Sequence, residues 1–341
     1  MFSTHALEID ARAECDRITS LLAHAVRGTL RRNGAVVGVS GGIDSAVVLA
    51  LCAKSFGPGR VRAILMPERD SDPESERLAR DVAALYGVQC VIEDISVCLH
   101  AFGCYRRKDE AIRRIFPEYD AARGYKSKIT LPPNLLDEST LDVFSLTIVR
   151  PDGEALTERL PSHELLQIVA ASNFKQRARM SMLYYNAELN NYAVVGTANK
   201  DEHDSGFFVK YGDGGVDVMP IAHLFKTQVY QLADVLGIPE EIRQRVPTTD
   251  TYSAPTTQEE FFFRLPFAMM DLLWYAMETG VDAAEAARVM NLSEQQVTRV
   301  YESLARRRRA TEYLRSHPIG FRDQLTRAEE APVRAASAPQ S

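Results

Sequence analysis

A string of small and acidic residues, Ser40-Gly41-Gly42-Ile43-Asp44-Ser45, has the composition and spacing of a phosphate-binding loop. It follows the apolar, β-branched run from Ala35 to Val39 and precedes a helical pattern from Ile43 to Ser55, so it joins a buried strand to a helix. Its two glycines let the backbone turn tightly and approach a ligand closely. The N–H groups that begin the helix lack partners within it and favour an anion. The string therefore predicts a site for phosphate groups.

The side chains of this loop narrow the chemistry. Ser40 and Ser45 add hydroxyl donors, whereas the Asp44 carboxylate is compatible with bound phosphates only if a cation bridges them. We therefore assign Asp44 to Mg²⁺. The lysine of the Walker pattern, Gly-Lys-Ser/Thr, is absent, so transfer of a γ-phosphoryl group is not the reaction that this loop predicts.

The segments around the loop predict a doubly wound α/β fold, in which a parallel sheet is flanked by helices. Val61 to Met66 and Val88 to Glu93 are the next two predicted strands, with a helix from Glu74 to Tyr86 between them. A long helix from His163 to Leu189 then leads to a strand from Tyr192 to Val195. In such a fold, the Ser40–Ser45 loop lies at the edge of the sheet formed by the carboxyl ends of its strands.

Residues 98–160 interrupt this alternation. They contain charged helical stretches and a Leu131-Pro132-Pro133-Asn134 break. The pattern of a hairpin follows, with strands from Val143 to Val149 and from Ala155 to Leu160 joined through Pro151-Asp152-Gly153. This segment is predicted to be an insertion that acts as a lid rather than a layer of the core.

The rest of the chain predicts a Gly- and Asp-rich loop from Gly196 to Pro220, a helix from Leu224 to Leu236, and helices from residue 257 onward. The last residues are rich in Ala, Pro and Glu, which predicts disorder. The expected parts are an α/β domain (1–255, with the insertion at about 98–160), a helical C-terminal region (256–326) and a disordered tail (327–341).

Composition and charge exclude several classes of protein. The formal net charge of −6 over 341 residues gives no general attraction to nucleic acid or to an anionic membrane. The N-terminal residues lack the basic-then-apolar pattern of a signal peptide, and no apolar run reaches membrane-spanning length. Five cysteines without a Cys-x-x-Cys spacing predict neither a zinc site nor a disulfide framework, and they favour a cytoplasmic location.

Four later stretches resemble the motifs of the NAD synthetase family in their order and approximate spacing. They are Asn173 to Met180, Gly196 to Glu202, Gly206 to Asp217 and Lys226 to Val229. The third contains Gly-Phe-Phe-x-Lys-Tyr-Gly-Asp-Gly-Gly, which is long and unusual in composition. The first loop is itself similar to the pyrophosphate-releasing loop of the N-type ATP pyrophosphatases. Members of that group cleave ATP between the α and β phosphates and activate a substrate as its adenylate.

The resemblance implies an ammonia-dependent ligase that converts nicotinic acid adenine dinucleotide to NAD, with ATP as co-substrate and Mg²⁺ as cofactor. The implied ATP-binding residues are Ser40, Gly41, Gly42, Ile43, Asp44, Ser45, Thr197, Lys226 and Thr248. The implied dinucleotide-binding residues are Arg177, Lys210 and Asp217. The implied metal ligands are Asp44 and Glu202, which with Lys226 form the catalytic set. Positive charge from Lys226 and Mg²⁺ would stabilise the departing pyrophosphate.

The resemblance also implies partners. The family is typically homodimeric with the dinucleotide site at the interface, so a homodimer is expected. No glutaminase portion is recognisable in the sequence. Ammonia is therefore expected to arrive free or from a separate glutaminase subunit, whereas membrane and nucleic acid are not expected partners.

Two departures from the family pattern leave the substrate open. Tyr313-Leu314 stands where the family has a His-Lys pair that contacts the dinucleotide, and Gln258-Glu259-Glu260 stands where it has an acidic Asp-Glu pair. One alternative is therefore a related adenylating amide ligase that acts on another carboxylate, in secondary or polysaccharide metabolism. A tRNA-thiolating enzyme is disfavoured, because it would need a reactive cysteine pair and a basic face.

A second alternative is a nucleotide-sensing, DNA-binding regulator. Ala283 to Arg309 has the apolar spacing of a helix-turn-helix and ends in a basic run, Arg306 to Arg309. Two helices packed in a core give the same periodicity, and four arginines are compatible with a solvated face.

Overall fold

The computed structural model describes residues 2–132, 135–136, 143–248 and 252–321. Its strands are β1 (Ala35–Gly38), β2 (Val61–Leu65), β3 (Gln89–Ile92), β4 (Lys126–Thr130), β5 (Ser145–Val149), β6 (Ala155–Arg159) and β7 (Ala193–Val195). Its α-helices are α1 (Ala11–Ala23), α2 (Ile43–Phe56), α3 (Pro73–Leu85), α4 (Ser96–Ala101), α5 (Cys104–Arg113), α6 (Ser162–Asn190), α7 (Lys200–Ser205), α8 (Lys226–Leu236), α9 (Glu240–Gln244), α10 (Phe267–Glu278), α11 (Ala283–Met290), α12 (Glu294–Ala310) and α13 (Glu312–Arg315).

The parallel sheet has the strand order β3-β2-β1-β7. Val37 of β1 lies beside Ala63 of β2 on one side and beside Val195 of β7 on the other. These three residues are buried in a cluster with α1, α2 and α8. The alternate residues Val36 and Ile64 belong to a second cluster, on the face covered by α6. Helices therefore cover both faces of the sheet, which is the predicted doubly wound α/β fold.

The strand order determines where this sheet can bind a ligand. The chain leaves β1 through α2 towards β2, whereas β7 is added on the other side of β1. Ligands of doubly wound sheets bind outside the carboxyl ends of the strands at such a reversal. The Ser40–Ser45 loop follows β1 at this edge, and Thr197 follows β7. Two of the predicted ATP-binding segments therefore meet there.

The inserted segment contains a separate antiparallel sheet in the order β4-β5-β6. The predicted hairpin is present as β5 and β6, but the sequence prediction missed β4. Lys126 and Lys128 alternate there with the buried residues Ser127 and Ile129, so the run is polar and only its pairing with β5 makes it a strand. The Pro133-Asn134 part of the predicted break lies outside the described residues.

The loop predicted for 196–220 contains a short helix, α7, that the sequence prediction also missed. The Asn199 side chain accepts from the Glu202 N–H at 3.0 Å, and the Glu202 carboxylate accepts from the Asn199 N–H at 3.4 Å. This reciprocal capping box begins the helix. A helix of only six polar residues has too few turns to show an apolar period, which explains the omission.

The C-terminal helices pack around an apolar cluster that includes Trp274, Val297 and Leu304. The periodicity that resembled a helix-turn-helix therefore reflects packing of α11 and α12 within this cluster. The basic run also contacts the chain itself, since the Arg307 guanidinium lies 4.2 Å from the centre of the Phe262 ring. Nothing in this arrangement favours the DNA-binding alternative.

The division of the chain between residues 255 and 256 stays a prediction. The tail predicted to be disordered, 327–341, lies outside the described residues. Within the described part of the chain, no helix is both long enough and apolar enough to cross a lipid bilayer.

Candidate active site

A cavity of about 990 Å³ lies among the segments that follow β1, β2 and β7, together with parts of α6 and of the inserted sheet. Most of the site residues predicted from the sequence contribute to its lining. They are Ser40, Gly42, Ile43, Asp44, Ser45, Arg177, Thr197, Glu202, Lys210, Lys226 and Thr248. The predicted residues Gly41 and Asp217 are not among those that line it.

Hydroxyl groups within the phosphate loop hold its shape. Ser45 Oγ donates to the Gly42 carbonyl oxygen at 2.9 Å, and the Gly42 N–H donates to Ser40 Oγ at 3.3 Å. Gly42 provides no side-chain cap for α2, so the N–H groups of the first helical turn are available to an anion. The local geometry therefore supports a phosphate site.

Gly41 shapes this loop without lining the cavity. Its φ angle is +76°, and a Cβ added there would lie 2.4 Å from the Ser75 carbonyl oxygen. We expect Gly41→Ala to weaken ATP binding about tenfold or more, because left-handed strain of about 1–2 kcal/mol adds to a backbone clash that only a shift of the loop can relieve. Isothermal titration with ATP would measure the change.

Gly57 provides the matched control for this prediction. Its φ angle is +79°, but an added Cβ would meet nothing within 4 Å. Gly57→Ala should therefore lower the free energy of unfolding by about 1–2 kcal/mol through the strain of its positive φ angle, while ATP affinity stays unchanged. Equal losses of ATP affinity in the two variants would show that the contact with Ser75 is not what fixes the loop.

Asp44 and Lys226 meet at the carboxyl edge of the sheet. Lys226 Nζ donates to Asp44 Oδ2 at 2.5 Å, and Asn199 Nδ2 donates to the other carboxylate oxygen at 2.9 Å. Burial would lower the pKa of Lys226, but the charges of Asp44 and Glu202 outweigh that effect and raise the pKa. A buried ammonium group therefore stays charged beside the loop that phosphates would occupy.

Glu202 contributes a second carboxylate to this group of charges. Burial, followed by the charge of Asp44, raises the pKa of Glu202 to about 8. Two carboxylates that repel each other are stabilised by a cation between them, and Mg²⁺ accepts one or two carboxylates together with phosphate oxygens and water. Asp44 and Glu202 therefore fit Mg²⁺. Among the described residues there is no cluster of three or more His, Cys, Asp or Glu with metal-binding geometry, so phosphates and water would complete the shell.

Two further carboxylates, Asp201 and Asp271, hold the first turn of α8. Asp201 Oδ2 accepts from the Lys226 N–H at 2.7 Å, and Asp271 Oδ2 accepts from the Thr227 N–H at 2.8 Å. Burial raises the pKa of both carboxyl groups. Their remaining oxygens have no hydrogen-bond donor in the described part of the chain, and one proton shared between them would satisfy both. The pair therefore orients the backbone of Lys226, a role that the sequence did not reveal.

Replacing Asp271 with asparagine should change how the free energy of unfolding depends on pH. A raised pKa means that the folded protein keeps a proton that the unfolded chain releases above the ordinary value of 3.8. The wild-type protein therefore loses stability from this pair as the pH rises above that value. Asparagine still accepts from Thr227 but does not titrate. Urea unfolding should show the stability advantage of the wild type over Asp271→Asn shrinking as the pH rises from about 4 to about 6. A difference that stays constant over this range would argue against the shared proton.

Arg177 and Lys210 lie together on the cavity wall. Lys210 Nζ donates to the carbonyl oxygens of Tyr313 and Ser316 at 2.7 and 2.8 Å, and Arg177 Nε donates to the Lys210 carbonyl oxygen at 3.3 Å. Tyr313 and Leu314, which stand where the resemblance implies a His-Lys pair, also line the cavity. Tyr313 and Leu314 therefore lie where a bound substrate would contact them.

Asp217 has a different environment from the other predicted site residues. It accepts from the Tyr184 hydroxyl at 3.0 Å and from the Val194 N–H at 2.8 Å. These contacts tie the segment after the Gly-rich loop to α6 and β7. The assignment of Asp217 to the dinucleotide stays a prediction.

A buried ionic network beside the cavity was not anticipated from the sequence. Lys175 Nζ of α6 donates to Glu68 Oε1 at 2.8 Å and to Asp70 Oδ2 at 2.7 Å, and Lys108 Nζ of α5 donates to the same Asp70 oxygen at 2.5 Å. Burial would raise the pKa of Asp70, but the two lysines outweigh it and lower the pKa. The network fixes the segment after β2, where Glu68 lines the cavity. The available sequence signal was an acidic residue, Glu68, three positions after the last residue of β2.

Comparisons with known proteins show which proteins the chain resembles in sequence and fold. The family model described as NAD synthase matches residues 14–121 and 138–318. The NH(3)-dependent NAD(+) synthetase of Mesorhizobium japonicum is 51% identical over 313 residues, which cover 92% of this chain and 97% of that protein. An NH3-dependent NAD synthetase structure from Campylobacter jejuni has a TM-score of 0.59 at 22% identity, over 92% of this chain and 99% of that one. An NMN synthetase structure from Francisella tularensis has a TM-score of 0.56 at 19% identity, with the same coverage of 92% and 99%. These two structural likenesses concern the fold alone.

Proposed function

The chain belongs to the NAD synthase family, and we infer that it is an ammonia-dependent NAD synthetase. Such an enzyme is a ligase that forms a carbon–nitrogen bond with ATP as co-substrate. The observation that carries this inference is the cavity at the reversal of the sheet, where the phosphate loop lies with Lys226 and Glu202. Because the loop lacks the Walker lysine, cleavage between the α and β phosphates suits it better than γ-phosphoryl transfer.

The reaction has two steps. A carboxylate oxygen of nicotinic acid adenine dinucleotide attacks the α-phosphorus of ATP, and pyrophosphate leaves, which gives the acyl adenylate. Ammonia then attacks the acyl carbon and loses a proton, and AMP departs with the electron pair of the carbon–oxygen bond. No bond to the enzyme forms, so the protein contributes positioning and charge neutralisation.

We assign the pyrophosphate-releasing step to the loop and its neighbours. The Lys226 ammonium and the N–H groups of Ser40–Ser45 offset the charge that develops on pyrophosphate. Asp44 and Glu202 hold Mg²⁺, which supplies further neutralisation of the phosphates when it is bound. The hydroxyl groups of Thr197 and Thr248 contact ATP.

The dinucleotide is assigned to the part of the cavity that Arg177 and Lys210 line. Arg177 and Lys210 carry the positive charge that its phosphates or carboxylate require. Asp217 is proposed to accept from a hydroxyl of the dinucleotide, in keeping with the family pattern. A homodimer would complete this site from a second copy of the chain. Ammonia would enter free or from a separate glutaminase subunit, and the cytoplasmic location remains a prediction.

Isotope transfer provides the decisive experiment. Purified protein is incubated with ATP, Mg²⁺, ammonium and nicotinic acid adenine dinucleotide labelled with ¹⁸O in its carboxylate, and the products are analysed by mass spectrometry. We expect equal amounts of NAD and AMP, with one ¹⁸O atom in each AMP. If the ¹⁸O appears in inorganic phosphate and ADP is the product, the carboxylate is phosphorylated rather than adenylated, and the proposed reaction is wrong.

Another carboxylate is the second candidate substrate, and Tyr313-Leu314 in the cavity wall is the observation that favours it. A site that loses two polar partners discriminates against a substrate that needs them. If the protein binds ATP but forms no NAD, the same assay with nicotinic acid mononucleotide and other carboxylates in place of the dinucleotide identifies this alternative. Formation of NAD at a normal rate excludes it.

A further inference from the structure

Gln258 is buried beside the proposed metal site, in the segment where the resemblance implies an acidic Asp-Glu pair. Its backbone N–H donates to the Pro247 carbonyl oxygen at 2.8 Å, which fixes the segment that also carries Thr248. Its side chain lines the cavity and is only 9% exposed. A polar side chain is rarely buried to this extent unless both ends of its amide are used.

One end of this amide already has a protein partner. Gln258 Nε2 donates to Glu202 Oε1 at 3.0 Å. A Glu202 carboxylate that binds Mg²⁺ is ionised and can only accept, so the amide N–H rather than the amide oxygen must face it, as it does here. Gln258 therefore restricts how the Glu202 carboxylate can turn.

The other end has no protein partner. Gln258 Oε1 is buried and accepts no hydrogen bond from any described residue. An orphaned carbonyl oxygen in the interior costs about 1–3 kcal/mol unless a ligand or water satisfies it. A Mg²⁺ ion bound by few protein ligands keeps several waters, which are strong hydrogen-bond donors.

We propose that Gln258 is a positioning residue of the Mg²⁺ site, with its amide N–H orienting Glu202 and its carbonyl oxygen accepting a hydrogen bond from a metal-bound water. This inference rests on the proposed metal site of the proposed function. The two acidic neighbours do not share the role, because Glu259 accepts from the Phe267 N–H and Glu260 accepts from the Thr257 N–H, both within their own segment. The C-terminal segment therefore contributes to metal binding through an uncharged side chain.

The test measures Mn²⁺ binding by electron paramagnetic resonance of the free ion, in the presence of α,β-methylene-ATP, which cannot be cleaved between those phosphates. We expect Gln258→Met, which keeps the length of the side chain, to weaken Mn²⁺ binding about 10- to 100-fold, as is typical for loss of an outer-shell partner. Mn²⁺ affinity within about twofold of the wild type would overturn the proposal.

Two further variants separate the proposal from its alternatives. Gln231→Met removes a glutamine that hydrogen-bonds to Ile9 and Leu7 outside the cavity, so it should lower the unfolding temperature without changing Mn²⁺ affinity. Gln258→Glu keeps an oxygen and adds charge, so it should bind Mn²⁺ more tightly than Gln258→Met. If both Gln258 variants bind equally weakly, the assignment of the carbonyl oxygen is wrong.

A third variant tests the metal site on which the inference depends. Glu202→Gln should lose Mn²⁺ binding, since it removes a proposed ligand. If Glu202→Gln binds Mn²⁺ like the wild type, the metal assignment of the proposed function fails. If it loses binding while Gln258→Met does not, the metal site stands and only the role of Gln258 is rejected.

Discussion

Asp44→Asn should reduce the turnover number for NAD formation by at least about 100-fold, a loss typical of removing one electrostatic group from a catalytic site. Asparagine has nearly the size of aspartate but cannot neutralise Lys226 or bind Mg²⁺ strongly. The side chain is only 15% exposed and lies 2.5 Å from Lys226 Nζ, so its charge acts where water screens poorly. NAD formation at saturating ATP would measure the effect.

The fold of this variant should stay intact, because Glu202 remains near Lys226 and Asn199 retains an acceptor at position 44. Asp234→Asn is the matched control, since Asp234 lies on the same helix as Lys226 but forms an exposed ion pair with Arg243. The control should keep wild-type turnover. Normal rates for Asp44→Asn at saturating Mg²⁺ would falsify its assignment to metal and phosphate.

Lys175→Met should lower the free energy of unfolding by about 3–5 kcal/mol, the usual cost of removing one partner from a buried ion pair. Lys175 is 0% exposed and pairs with both Glu68 and Asp70. Without its ammonium group, Glu68 and Asp70 lose a shared partner in a dry environment. Methionine fills similar volume, so the loss would come from charge rather than from a cavity. Urea unfolding monitored by far-ultraviolet circular dichroism would measure it.

Lys54→Met provides the control for that measurement. Lys54 pairs with Asp16 at 2.7 Å, but their side chains are 47% and 65% exposed. Exposed ion pairs contribute about 1 kcal/mol or less to the free energy of unfolding. Lys54→Met should therefore unfold at a urea concentration close to that of the wild type. If Lys175→Met is no more destabilised than Lys54→Met, the ionic network does not stabilise the segment after β2. Other contacts must then hold Glu68 in the cavity wall.

The features predicted correctly from the sequence are local ones. The Ser40–Ser45 loop, its preceding strand and its following helix are contiguous, so their residue types determine the turn, the free N–H groups and the apolar burial without reference to the rest of the chain. The hairpin β5–β6 is also local, because a short turn joins its strands. Several motifs in a shared order were enough to identify the family, although no one of them alone was specific.

The features that could not be predicted from the sequence depend on contacts between distant segments. β4 is a polar run that becomes a strand only through pairing with β5. Gln258 meets Glu202 across 56 positions in the sequence, and Lys175 meets Glu68 across 107. No local pattern distinguishes a glutamine or lysine that is buried and paired from one that is solvated, because the distinction lies in desolvation and partner geometry. The sequence by itself determined the strand, loop and helix around Ser40–Ser45 and the fold class. The tertiary structure decided which polar groups surround that loop and in what state of charge, because burial and partner geometry set both.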